Sequence, residues 1–125
     1  MARLAPTDAS LHEWCGAGRF DACTLFLGFG LAVDCAPDGS AVRMSASARV
    51  TPWILFRNLA RAAHEQEHIR DVQRSLVKYV DELERAQFAS VNDCHAAALT
   101  ATSSFGDTLR SFARQSTERM HEPVR

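Results

Sequence analysis

Apolar residues change their spacing once along this chain, near residue 50, and that change restricts the fold more than any other feature. Before it they recur at every second position. Cys23, Leu25, Leu27, Phe29, Leu31, Val33 and Cys35 share one parity, the pattern of a strand with one buried face. Gly28 and Gly30 fall on the other face and point to a bulge or a close backbone approach. Pro37-Asp38-Gly39-Ser40 then reads as a turn, proline presetting φ and glycine accepting a positive one. Val42, Met44, Ala46, Ala48 and Val50 resume the alternation, which predicts a β-hairpin over residues 22–36 and 40–50.

Beyond residue 50 the spacing becomes three and four. Thr51-Pro52 reads as a helix start, with threonine as N-cap and proline in the first turn. Leu55, Leu59, Ala62, Ile69, Val72, Leu76, Val80 and Leu83 carry helical periodicity to about residue 89. Ser90-x-x-Asp93 resembles a capping box and starts a second helix through Ala98, Thr102, Phe105, Leu109 and Phe112. Gly106 weakens that helix midway, and Pro123 ends it. Two long helices with a tight connection pack antiparallel. The expected fold is α+β: an N-terminal β-hairpin packed against an antiparallel pair of long helices. Residues 1–19 read as a lead-in with a short helical turn near residues 9–14, and residues 20–125 as a single domain.

Composition narrows the function classes. With 125 residues, 46% of them hydrophobic, the chain can bury one core. A formal net charge of −1 gives no electrostatic case for nucleic acid as a partner. No apolar run approaches the roughly 20 residues of a membrane span. The N-terminus lacks the apolar stretch of a signal peptide, so either the protein stays in the cytoplasm or a leader has been removed. Cys15, Cys23, Cys35 and Cys94 allow three pairings. None has the C-x-x-C spacing of a metal ribbon, and disulfides or buried thiols both fit.

The chemistry concentrates in His64-Glu65-Gln66-Glu67-His68. Histidines four apart on a helix share one face and can hold one ion. An open coordination position on zinc carries a water that an adjacent glutamate can deprotonate, the logic of H-E-x-x-H peptidases. The same residues also satisfy H-x-x-E-H. Helical phase favours Glu65 as the base, because it falls toward the core and Glu67 falls toward solvent. A catalytic zinc takes three protein ligands as a rule. Asp71, His95, His121 and Glu122 are the candidates. Asp71, three residues past His68, could orient that ring or ligate. An antiparallel second helix returns His121 to about the level of residues 60–65, whereas His95 stays near the connection. His121 is therefore the expected third ligand, with Glu122 next. Arg57 and Arg61 lie on the histidine flank and read as solvated charges.

An alternating hairpin, a helix carrying A-x-HEQEH-I-x-D, and a second helix with an early cysteine and a late histidine resemble the bacterial predicted secreted zinc-dependent proteases. Residues 20–122 correspond, and Ala63 to Asp71 is the specific stretch. The resemblance implies His64 and His68 as ligands, Glu65 as base, and export after loss of a leader to the periplasm or beyond. Members carry a late Thr-x-His-Gly element that supplies another ligand. In the corresponding region here Thr117 and His121 stand further apart, and no glycine follows.

The expected function is a zinc-dependent hydrolase, a metallopeptidase acting on peptide or protein, with the substrate adding a strand along the hairpin edge. Two rivals remain: a non-enzymatic helical-hairpin module of adaptor or chaperone type, and a protease-like domain that binds metal without turnover.

Overall fold

The protein is seen here as a computed structural model that describes residues 3–6, 22–56 and 59–120. In chain order these form β1 (Arg3–Pro6), β2 (Ala22–Asp38), β3 (Ala41–Phe56), α1 (Leu59–Arg85), β4 (Gln87–Phe88) and α2 (Val91–Met120). The expected hairpin is β2 and β3, antiparallel and closed at Gly39, whose φ of 67° only glycine adopts without strain. Strand order is β1-β3-β2, and β4 also pairs with β3. β1 lies parallel to β3, so part of the expected lead-in is a strand. The helical turn expected near residues 9–14 lies outside the described residues. Among the described residues no helix is long and apolar enough to cross a membrane.

Two expectations are corrected. Thr51-Pro52 does not open a helix; β3 runs on to Phe56, and helix begins at Leu59. Extending the strand pairs Trp53 to Phe56 with both β2 and β1 and buries Ile54 completely, against Ala62 and Ile69. Burying an isoleucine contributes about 1.5–3 kcal/mol, more than an N-cap threonine supplies. Pro52 is tolerated because it stands opposite Phe26 at a break in register, where proline is admitted into sheets.

That break is the second correction. The register slips between Phe26 and Gly28, leaving Leu27 as a bulge, 57% exposed. The bulge switches parity along β2. Thr24 and Phe26 face the helices before it; Leu31, Val33 and Cys35 face them after it. Cys23 and Leu25 thus sit on the opposite face from Cys35, and the single buried parity read from sequence holds only for residues 29–35. In β3, which has no bulge, Val42, Met44 and Ile54 are buried on one parity throughout.

Both helices pack on that inner face. Val72 and Leu76 of α1 meet Phe105 and Leu109 of α2 over Phe26 and Leu31. Tyr79 touches the rings of both Phe105 and Phe112, and residue numbers rise on α1 as they fall on α2, so the helices run antiparallel. α1 ends at Arg85, short of the expected residue 89, because Phe88 turns inward as β4 opposite Val42 and joins the cluster with Met44 and Cys94. Ser90 caps α2 as expected: its Oγ accepts from the Asp93 amide at 3.1 Å and its carbonyl from the Cys94 amide. Gly106 has a packing reason. A Cβ there would approach the Phe29 ring to 3.2 Å, so the glycine lets β2 close on α2. A disulfide joins Cys35 to Cys94, and Cys23 is disulfide-bonded as well.

Candidate metal centre

α1 seats Ala62, Ile69, Val72 and Leu76 on the sheet. At about 100° per residue, His64 and His68 then fall together on the flank that meets α2. Contact with α2 makes that flank an interior position for His68, which is 7% exposed. Its Nδ1 lies 3.0 Å from the Oγ of Ser116, a side chain with no solvent exposure. His64, one turn earlier, keeps 31% of its side chain exposed. The two rings stand edge to face, centroids 4.8 Å apart and planes at 85°.

The spacing can be tested against zinc. An ion at 2.0–2.1 Å from one nitrogen of each ring lies about 3.2 Å from each ring centre, and tetrahedral angles then put the centres roughly 5 Å apart. The observed 4.8 Å agrees. In the tautomer where Nδ1–H of His68 donates to Ser116 Oγ, the lone pair is on Nε2, the arrangement by which an oxygen acceptor orients a ligating imidazole. The ring-centre spacing is that of a ligand pair.

The two glutamates differ as helical phase predicts. Glu65 is half-buried and points down to the sheet, its Oε2 accepting from the Thr24 hydroxyl at 2.7 Å. Glu67 is 60% exposed, its Oε2 3.9 Å from Nδ1 of His64. Glu65 is therefore the carboxylate placed between helix and sheet, where water is restricted.

Among the described residues, no third histidine, cysteine, aspartate or glutamate gathers with His64 and His68 into a metal-holding group. Asp71 is half-buried one turn beyond His68 and does not complete such a group. His95 is exposed at the start of α2, far from the pair, and Arg61 is exposed on α1. His121, Glu122 and Arg57 lie outside the described residues. α2 passes Ser116 beside His68 and is still helical at Met120, heading toward the His64 end of α1.

Sequence reasoning missed two residues that hold this site. Thr24 was hidden because its inward orientation depends on the bulge at Leu27. Ser116 carried a readable signal: it continues the stripe of Phe105, Leu109 and Phe112 as one small polar residue in an apolar row. Such a residue, buried, needs a polar partner. Against known proteins, the chain matches no family model, no curated protein and no solved structure.

Proposed function

We propose that this protein is a zinc-dependent hydrolase, a metallopeptidase, with His64 and His68 as ligands, His121 as the third and Glu65 as general base. One observation carries the reading: two imidazoles a turn apart at 4.8 Å, one oriented by a buried serine, beside a half-buried carboxylate. Zinc, when bound, supplies Lewis-acid activation of a water and of a carbonyl. The chain supplies the rest. Ser116 sets the His68 ring, Thr24 holds the Glu65 carboxylate by one oxygen, and the other oxygen is the one to accept a proton. Glu65 then returns that proton to the leaving amine. The likeness to bacterial secreted zinc-dependent proteases points the same way, and a disulfide-bonded chain suits the periplasm or an extracellular setting. The outer edge of β2 carries no strand among the described residues and starts beside Thr24, which offers an extended substrate a lane next to Glu65.

Elemental analysis and peptide hydrolysis test the proposal together. The wild type should retain about one zinc per chain; His64→Ala and His68→Ala should lose it, and His121→Ala should weaken it. Glu65→Gln should keep the zinc and lose roughly 100-fold or more in kcat, the usual worth of a positioned base. Folded wild type that takes up no zinc at micromolar concentration rejects the metal site. Zinc without turnover, unaffected by Glu65→Gln, would leave a binding domain.

A further inference from the structure

The inner strand β3 is covered unevenly along its outer side. β4 pairs with it at Val42 and Arg43, and β1 from Trp53 onward. Residues 44–52 between them have no strand partner on that side among the described residues. This stretch is about 30 Å long at roughly 3.3 Å per residue. A side-chain contact marks it: the Ala46 amide donates to Glu84 Oε2 at 3.3 Å. Even-numbered amides of β3 therefore point outward here, and Ala48 and Val50 present their N–H and C=O groups the same way.

The stretch is also walled. A groove of about 700 Å³ runs between Ala46, Ala48 and Val50 and the flank of α1 that bears Val77, Val80 and Glu84. The three strand residues are small, which leaves the hollow, and Val77 on the opposite wall is 70% exposed. The wall carries a carboxylate at one end, Glu84, while its neighbour Asp81 is paired with Arg85 at 2.9 Å. Arg49 is also among the groove's lining residues, and its guanidinium lies 3.8 Å from the Cβ position of Gly30 on β2. This flank faces away from α2, whereas His68 and Tyr79 face toward it.

We propose that the β3 edge between β4 and β1 is a docking site for a short extended peptide that adds one strand, with an apolar side chain toward Val77 and Val80 and a basic one toward Glu84. Backbone pairing supplies the affinity, and the alternate side chains supply the selection. The lane is closed at both ends by β1 and β4, so a second copy of the 16-residue β3 collides with them. A segment of about six residues fits the opening. Glu84 already occupies one amide of the row, as a peptide carbonyl would. The inference is independent of any metal.

The probe is a fluorescein-labelled, acetylated hexapeptide with valine second, lysine fourth and serine elsewhere, read by anisotropy. Saturable binding is expected, weakened roughly tenfold or more by glutamate in place of the lysine, and by Val77→Lys in the protein. Val77 is exposed, so that variant should melt with the wild type. Backbone N-methylation of the peptide should abolish binding, and amide hydrogen exchange should slow at Ala48 and Val50. Absence of saturation by about 1 mM, equal binding of the glutamate peptide, or protection confined to β2 amides would overturn the proposal.

Discussion

Two side-chain pairs from distant parts of the chain meet at the candidate centre: Thr24 with Glu65, and Ser116 with His68. Each joins a polar residue on one element to a chemistry-bearing residue on α1. Losing the serine leaves a buried ring nitrogen without the Ser116 oxygen, which costs about 1–3 kcal/mol. It also releases the ring. Ser116→Ala should thus lower the unfolding free energy of apoprotein by that amount in urea titration. It should also raise the zinc dissociation constant about 10–100-fold, the usual effect of removing a group that orients a ligand. Zinc affinity unchanged in a destabilised variant would make Ser116 a packing residue only. For Thr24→Val the expected split is different. Glu65 is only half-buried, so zinc content should hold while kcat falls, because the carboxylate loses the bond that aims it.

At the level of elements, the bulge at Leu27 is decisive. It turns residues 22–26 over, brings Thr24 to the helices, and places Pro52 where its missing N–H is tolerated. The start of α2 is governed locally instead. Ser90 satisfies one of the open amides of the first turn through its hydroxyl. Ser90→Ala should cost about 1 kcal/mol in denaturant unfolding, while Ser90→Asp should keep most of the cap. Equal loss in both variants would show that Phe88 and Cys94, packed on either side, hold the turn without it.

For the whole molecule, the disulfide and the histidine pair secure opposite ends of the helical layer. Cys35–Cys94 ties the hairpin end of the sheet to the first turn of α2, where Val42 and Met44 pack, and spans 59 residues of sequence. Closing a loop of that length restricts the unfolded chain by about 4 kcal/mol in the chain-entropy account. Cys35→Ser with Cys94→Ser should therefore lower stability by about 2–4 kcal/mol. Zinc affinity should change less than roughly tenfold, since His64 and His68 sit at the far end, against the α2 turn that holds Ser116. A large loss of zinc in a folded double variant would mean that the two ends are coupled through α2.

Periodicity alone was enough for the hairpin, the two long helices, the Ser90 cap and the placing of both imidazoles on one flank of α1, with Glu65 inward and Glu67 outward. Those features follow from the spacing of neighbours in the chain, where 100° per residue or strict alternation sets direction. The turned-over segment of β2, the strand through Pro52, the Cys35–Cys94 pairing, and Thr24 and Ser116 as partners came only from the folded arrangement. Each depends on which residues of remote elements come to face one another. Burial of Ile54 and the register across the bulge decide that, and neither is expressed in any local window.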